Sequence, residues 1–334
     1  MSRPPSMADV ARAAGVSVTT VSHVLNGTRA VNGQTEQQVR SAIDELGYRR
    51  NTVARALATA RTMIAGICVP ITGNSTFPVL VDVMERLLAE HGYSVVLHNT
   101  RDDPGMEHRV VEHLLDLRAD GVILAPALTT LRPPPRLPMV LLDRFADADC
   151  DQVASESVSA VATLTTHLAD RGHRRIAVVA GHPELSTTGD RLAGYRQAVT
   201  RLGLDADPAL VVRGESEVAT TREGIVQLFS RPDRPTAVVS TNNVMTIGTL
   251  SGLKDLGLQV PEDVAVVCYD DFEWADIATP SLTAMEQDLT GMATRAVELL
   301  LRRIAEPDAE IVRDRLPVAF HHRTSCGCGP SVSQ

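Results

Sequence analysis

Short, uninterrupted apolar runs recur through the chain from about residue 63 onward, and they constrain its fold more than any other feature. They are Ile64 to Val69, Tyr93 to Leu97, Gly121 to Ala125, Met139 to Leu142, Ile176 to Ala180, Ala237 to Ser240 and Val264 to Cys268. A strand with one wet face alternates polar and apolar residues, whereas an unbroken apolar run is buried on both faces, as parallel strands covered by helices are. The intervening stretches are amphipathic and of helical length, so the body is expected to be α/β. Its length, with the Pro-rich Arg132 to Pro138 as a local breaker, suits two doubly wound parallel-sheet lobes with a ligand cleft at the carboxyl ends of the strands. No Gly-x-Gly-x-x-Gly follows the first run, and no Walker, His-Glu-x-x-His or Gly-x-Ser-x-Gly sequence occurs. Neither a cofactor nor an enzymatic activity is expected.

The chain has 334 residues, 44% of them hydrophobic, enough for about two or three domains. Met1 to Val10 carries Arg3, two prolines and Asp9 but no apolar stretch, so no signal peptide or membrane helix is drawn there and a cytoplasmic location is expected. The five cysteines, Cys68, Cys150, Cys268, Cys326 and Cys328, are odd in number and scattered, unlike a disulfide framework, with Cys68 and Cys268 read as core residues inside strands. The net charge of −9 argues against nucleic acid, but it is unevenly spread. Met1 to Arg61 holds eight basic residues against four acidic ones, leaving 24 against 37 in the rest. One end of the chain suits an acidic polymer and the other does not.

That basic end has its own pattern. Val10, Ala11 and Ala14 share a helix face within Met7 to Ala14, and Gly15 permits a sharp turn. A second helix should start with Ser17 as N-cap and Val16 stapled on Val21, with Val24 and Leu25 continuing inward and Asn26-Gly27 ending it. Its outer face then shows Val18, Thr19, Ser22 and His23, small groups where a surface helix usually carries Lys and Glu. Thr35 and Gln38 read as the capping box of a third helix with Val39, Ile43 and Leu46 inward and Gly47 as C-cap. Three short helices with a tight turn make a helix-turn-helix unit, against which stands the plainer reading of a helical hairpin packed on the body.

Residues 7 to 27, Met-Ala-Asp-Val-Ala-Arg-Ala-Ala-Gly-Val-Ser-Val-Thr-Thr-Val-Ser-His-Val-Leu-Asn-Gly, followed by Glu-Leu-Gly-Tyr-Arg-Arg-Asn at 45 to 51, resemble the headpiece of the lac repressor family. The resemblance implies that the second helix lies in the major groove. Val18, Thr19 and His23 then read bases, and Ser17, Thr20, Asn26 and Thr35 hold phosphates, with Ser22 on the same face. His23 stands where the family often has Arg. Asn51 to Thr59 reads as a hinge helix too short to be stable alone, with Asn51 as N-cap. By resemblance two such hinges pair in the minor groove, Leu57 wedging a base step and Arg55 facing the duplex.

The resemblance continues through Arg171-Gly172-His173-Arg174-Arg175-Ile176, Arg191-Leu192-Ala193-Gly194-Tyr195, Val260-Pro261-Glu262-Asp263-Val264 and Tyr269-Asp270-Asp271. It implies a body like a periplasmic sugar-binding protein. The expected division is a headpiece at 1–50, a hinge at 51–61 and an effector and dimerisation domain at 62–334. Within the last, lobe 1 takes about 62–158 and 287–316, and lobe 2 about 159–286 and 317–329. By position Arg191, Asn242, Asp270 and Asp143 match effector contacts, with Thr187, Phe77 and Gln287 beside them; a solvated loop charge or a mutual salt bridge is the plainer reading of the charged ones. The family's usual aromatic after Gly-Asp is replaced by Gly214-Glu215-Ser216, so the sugar-stacking wall is missing there. Trp274 is either its substitute or an interface or lid residue. Ser155-Glu156 and Asn243 also depart from the family pattern.

The function so implied is a transcriptional regulator, most simply a repressor, that binds a palindromic double-stranded DNA operator as a homodimer under the control of a small, sugar-like effector. The effector shifts the lobes and the hinges separate. An activator or a partner-controlled regulator is the alternative within regulation; a solute-binding protein has no use for residues 7 to 57, and an enzyme needs a nucleophile, metal or cofactor loop that is not found. His321, His322, Cys326 and Cys328 gather near the C-terminus, but their spacing fits no standard zinc site. The tail is therefore read as a docked or frayed terminus without metal, and, lacking a leucine heptad, without a tetramer-forming coil.

Overall fold

The computed structural model describes residues 5–26, 29–48, 61–71 and 75–328. The chain separates into two units between Thr62 and Met63.

The first unit holds α1 (Met7–Ala14), α2 (Val18–Asn26) and α3 (Gly33–Leu46). A capping box starts α1: Ser6 Oγ accepts from Asp9 N at 3.4 Å while Ser6 N donates to the Asp9 carboxylate at 2.9 Å. Gly15 at φ 66° turns the chain, and Val16 N reaches back to Ala11 O at 3.0 Å. Val10, Ala11, Val21, Val39 and Ala42 form a small buried core, with Val16, Val24, Leu25, Ile43 and Tyr48 packed around it. The expected Thr35–Gln38 capping box is corrected here. Asn32 caps α3, its Oδ1 accepting from Gln34 N at 3.0 Å, so Thr35 already lies inside the first turn. An Asn followed by Gly supplies the extended-to-helical corner three residues earlier than the Thr-x-x-Gln spacing suggests.

The second unit contains two six-stranded sheets. The strands in chain order are β1 (Ile64–Val69), β2 (Ser94–Asn99), β3 (Gly121–Leu124), β4 (Met139–Leu142), β5 (Asp151–Ser155), β6 (Ile176–Ala180), β7 (Val211–Arg213), β8 (Ala237–Ser240), β9 (Ala265–Tyr269), β10 (Thr283–Gln287), β11 (Arg313–Leu316) and β12 (Val318–His321). The first sheet runs β11-β5-β4-β3-β1-β2, all parallel; the second runs β12-β10-β9-β8-β6-β7, parallel except for the β10–β12 pair. The chain crosses between sheets after β5, after β10 and between β11 and β12, so each lobe is built from separated segments.

Seven helices cover the sheets: α4 (Thr76–Glu90), α5 (Pro104–Asp116), α6 (Val158–Asp170), α7 (Ser186–Leu202), α8 (Val218–Phe229), α9 (Asn243–Asp255) and α10 (Leu289–Ala305). In lobe 1, α4 and α10 pack on one face through Leu80, Met84, Leu88, Ala296 and Leu300, and α5 on the other through Val110 and Leu114. In lobe 2, α6 and α7 cover one face and α8 and α9 the other. Both faces of each central strand are therefore dry, which is why β1, β4, β6 and β9 are apolar throughout and β8 is apolar up to its last residue, the buried Ser240. Cys68 and Cys268 lie fully buried in β1 and β9.

β5 and β11 break that rule and were not expected from the sequence. Asp151 opens β5 fully buried, its carboxylate accepting from Arg303 Nε at 2.9 Å, Arg302 Nη2 at 3.2 Å and Val312 N at 2.8 Å. The charge is tolerated because every acceptor direction is filled by cationic or backbone donors.

Candidate functional site

The headpiece presents α2 outward as expected. Ser17 Oγ accepts from Thr20 N at 3.0 Å and lies 2.8 Å from Thr20 Oγ1, which fixes the start of the helix. Val18 is 44% exposed, an apolar side chain left in water at the first helical position, and Thr19 beside it is exposed too. Ser22 and His23 are half-buried one turn on, Thr20 is half-buried, and Asn26 ends the helix. Thr35 is half-buried in the first turn of α3. Two amide-rich helix starts thus flank a surface of hydroxyls and one valine, a surface suited to phosphate oxygens at its edges and base edges at its centre. Asn51, Arg55 and Leu57 lie outside the described residues.

The other expected residues converge on a cleft between the two sheets of the second unit. It encloses about 660 Å³ with its open mouth included, and Phe77, Asp143, Thr187, Arg191, Asn242, Asp270 and Gln287 all line it. Parallel strands set this position: Asp143 follows the last residue of β4, Asp270 follows β9, and Gln287 ends β10. Asp143 and Asp270 adopt φ 67° and 81°, left-handed backbone that turns each carboxylate away from its strand and into the opening.

Charge dominates the cleft. Arg191 is 9% exposed; its Nη1 donates to Thr241 O at 2.5 Å and its guanidinium carbon lies over the Tyr269 ring, 3.9 Å from the ring centre. Asp270 Oδ1 accepts from Gln287 Nε2 at 2.6 Å and Oδ2 from Asn243 N at 3.2 Å. Burial raises the pKa of Asp143; Arg144 and Arg191 pull it down, while Asp270 and Asp102 push it further up. Asn242 caps α9, Oδ1 accepting from Met245 N at 2.7 Å, while its Nδ2 donates to Ser216 Oγ at 3.1 Å. Three polar atoms of residues lining this space, Arg191 Nε, Gln287 Oε1 and Arg144 Nε, are buried with no hydrogen-bond partner among the described residues, although Arg144 Nε stands 3.6 Å from the Asp143 carboxylate.

Sequence reasoning missed Arg144 and Asp102. The Arg144 guanidinium pairs with the Asp102 carboxylate, bonds Pro126 O at 3.2 Å, sits 3.6 Å from Asp143 and lies 5.7 Å from the centre of the Phe77 ring. The signal was available: Asp143-Arg144 directly follows an apolar strand, where ligand groups of parallel sheets collect. Ser216 lines the cleft, so no aromatic wall stands at that position. Trp274 is not brought into the cleft. It faces a neighbouring hollow with Phe272, ring centres 4.1 Å apart, along with Pro78, Val79 and Leu289.

Among the described residues no helix is long and apolar enough to cross a membrane. Residues 6–51 match the family described as bacterial regulatory proteins, lacI family, and residues 165–326 match a periplasmic binding protein-like domain. The ribose operon repressor of Escherichia coli strain K12 is 36% identical over 327 residues, covering 96% of this chain and 99% of that one. The HTH-type transcriptional repressor PurR of Vibrio atlanticus strain LGP32 is 33% identical over 309 residues, 90% of this chain and 92% of that one. Among solved structures, the lac repressor dimer bound to operator and the anti-inducer ONPF matches with a TM-score of 0.84 at 26% identity, over 97% of this chain and 99% of that one. A complex of the transcriptional regulator CelR with cellobiose matches with a TM-score of 0.72 at 30% identity, over 96% and 99%. A helix-turn-helix head, a two-lobed body with a charged cleft and this full-length similarity establish that the chain belongs to the lacI family of bacterial regulatory proteins, as a DNA-binding transcriptional regulator and not an enzyme.

Proposed function

We propose that the chain is a cytoplasmic repressor that binds a palindromic operator as a dimer, and that a neutral, sugar-like polyol in the cleft sets its affinity for that DNA. Val18, Thr19 and His23 read bases. Ser17, Thr20, Ser22, Asn26 and Thr35 hold phosphates, and Asn51, Arg55 and Leu57 serve the hinge segment. Phe77, Asp143, Thr187, Arg191, Asn242, Asp270 and Gln287 bind the effector.

The observation that carries the effector reading is the pair of buried, unpartnered atoms, Arg191 Nε and Gln287 Oε1, one a donor and one an acceptor. Each costs about 1–3 kcal/mol while unsatisfied, and a hydroxyl, which donates and accepts, relieves both kinds. Three carboxylates, Asp102, Asp143 and Asp270, face two guanidinium groups, Arg144 and Arg191, around the same space. That balance disfavours an anionic ligand such as a sugar phosphate and favours a neutral one. The absence of an aromatic wall at Ser216 favours a small, heavily hydroxylated ring over one with a broad apolar face.

Calorimetric titration of the full chain with pentoses, hexoses, disaccharides and their phosphates tests this, read together with binding to an operator selected from random duplexes. A neutral saccharide should bind and change operator affinity, and Asp270→Asn should weaken the saccharide about 10–150-fold, the equivalent of one charge-assisted bond of about 1.5–3 kcal/mol. Binding of the phosphate ester alone, or of no saccharide, would refute the effector reading while leaving the operator result to stand.

A further inference from the structure

Four side chains remote from the cleft meet on lobe 2. His167 lies in the last turn of α6, His322 follows β12, and Cys326 and Cys328 flank the turn beyond it. Their ligand-type nitrogen and sulfur atoms all lie within 4.8 Å of one another. We propose that His167, His322, Cys326 and Cys328 form a tetrahedral site for zinc, or a divalent cation of similar preference, that fastens the C-terminal segment to α6.

Zinc–sulfur and zinc–nitrogen bonds of about 2.3 and 2.0 Å place tetrahedral ligands about 3.3–3.8 Å apart. Cys328 Sγ stands 3.8 Å from His167 Nε2, near the sulfur–nitrogen edge of about 3.5 Å that such bonds set, and small side-chain rotations would bring in the others, all within 4.8 Å. Two thiolates and two neutral imidazoles are a donor set that selects tetrahedral zinc over calcium or magnesium, whose ligands are oxygens. Two thiolates also cancel the charge of the dication, so the filled site buries no net charge. Cys326 is 1% exposed and the other three are half-buried, as in a closed structural site.

The surroundings hold the ligands in place. Gly327 has φ 78°, a left-handed turn that lets the two thiols of a Cys-x-Cys face the same point. Arg171 Nη2 donates to Gly327 O at 2.7 Å, and Thr283 Oγ1 lies 3.2 Å from Cys326 Sγ, an outer ring of support of the kind that orients metal ligands. The His167 and His322 rings meet edge to face with centres 5.2 Å apart. His321, next in sequence to His322, is not part of the group; its Nε2 bonds the Glu286 carboxylate at 2.6 Å.

The test is metal analysis of the untagged full chain, zinc titration against a chromophoric chelator, and cobalt substitution. One zinc per chain is expected, with tetrahedral cobalt absorption and thiolate-to-cobalt charge transfer. Cys328→Ser and His167→Gln should abolish both, while His321→Gln, a side chain outside the group, should change neither. Should the ligand variants fail to fold, alkylation of the natural chain decides: zinc must protect Cys326 and Cys328 from a thiol reagent and leave Cys150 unaffected. Substoichiometric zinc, a cobalt spectrum without charge transfer, or zinc retained in the folded Cys328→Ser and His167→Gln chains would overturn the proposal and leave a metal-free Cys–His hydrogen-bond cluster.

Discussion

Replacing Asp143 with asparagine should separate what the cleft needs from what folding prefers. The side chain is 11% exposed and its residue holds φ 67°, a conformation that Asn and Asp share, so the exchange keeps both volume and backbone. Burial raises the pKa of Asp143 in the folded chain. The folded state therefore keeps its proton to higher pH than the unfolded state, whose carboxyl titrates near about 3.9. Stability contributed by this group falls as pH rises from that value through the raised folded one. Arg144 keeps its contacts to Asp102 when Asp143 is neutralised, so no guanidinium is orphaned. The Asn chain should gain about 0.5–2 kcal/mol in the absence of effector. That corresponds to a Tm roughly 1–8 °C higher for a body of this size. The gain should be largest at the alkaline end of a series from about pH 4 to about pH 8 and shrink toward its acid end, where folded and unfolded carboxyls are both protonated. Effector affinity should fall about 10–150-fold at the same time, one charge-assisted bond being worth about 1.5–3 kcal/mol. Scanning calorimetry across this pH range and a binding titration measure both. A lower Tm for Asp143→Asn at neutral pH would refute the reasoning, because the attraction of Arg144 and Arg191 would then exceed the cost of burial.

Two glycines of α7 should respond oppositely to alanine. A Cβ on Gly194 would stand 2.1 Å from Val158 O, so Gly194→Ala should cost about 1–3 kcal/mol or more, whereas Gly189 has nothing within 4 Å and Gly189→Ala should gain about 0.5–1 kcal/mol, both read by thermal melting. Asp151→Ala leaves Arg302 and Arg303 facing a buried void and should cost about 3–5 kcal/mol in denaturant unfolding; a loss under about 1 kcal/mol would mean that the two arginines find other partners. Val18→Ala should leave stability within about 0.5 kcal/mol, since the side chain is 44% exposed, while operator variants lose about four-fold of their preference at one thymine, the value of a methyl-sized contact near 0.8 kcal/mol.

The strands legible in the sequence are those whose environment is uniform. Ile64–Val69 and Ile176–Ala180 are dry on both faces, and only apolar side chains suit them. Asp151–Ser155 and Arg313–Leu316 carry no such mark, because β5 draws its burial from Arg302 and Arg303 on α10 and β11 is a half-exposed edge paired only to β5. Short β7 and β12 owe their extended form to the neighbours they pair with, a contribution that local propensity does not contain. The cleft was legible only through a family resemblance, which supplied Arg191 and Asp270 by position; nothing in periodicity selects them. Arg144 escaped because a charged pair after a strand also reads as an ordinary turn. The proposed metal cluster was only partly legible for a geometric reason: three of its members lie between His322 and Cys328, but the fourth, His167, is 155 positions before His322 and becomes a neighbour only when α6 packs beside β12.

How an effector can control such a molecule follows from the division of the cleft between lobes. Lobe 1 contributes Phe77, Asp102, Asp143 and Arg144, and lobe 2 contributes Arg191, Asn242, Asp270 and Gln287, the last of which ends β10 in the second sheet and does not, against expectation, open the return of the chain to lobe 1. Direct polar contacts join the lobes beside this space: Asn243 Nδ2 to Ser75 Oγ at 2.7 Å and Arg315 to Asp190 at 2.9 Å. The first is worth about 0.5–1.5 kcal/mol and the second, half-exposed, about 0.2–1 kcal/mol. Their sum, roughly 1–2.5 kcal/mol, is of the same size as the coupling of about 1–3 kcal/mol that links two sites in a regulated protein. A ligand that touches both lobes therefore needs only one or two bonds made in one lobe arrangement and not in the other to move the equilibrium between them. Contacts confined to a single lobe raise affinity equally in both arrangements and transmit nothing. Under the proposed function, regulation therefore rests on the few groups that line the opening from opposite lobes, Asp143 and Arg144 against Arg191 and Asp270, and not on the total number of hydrogen bonds the effector makes.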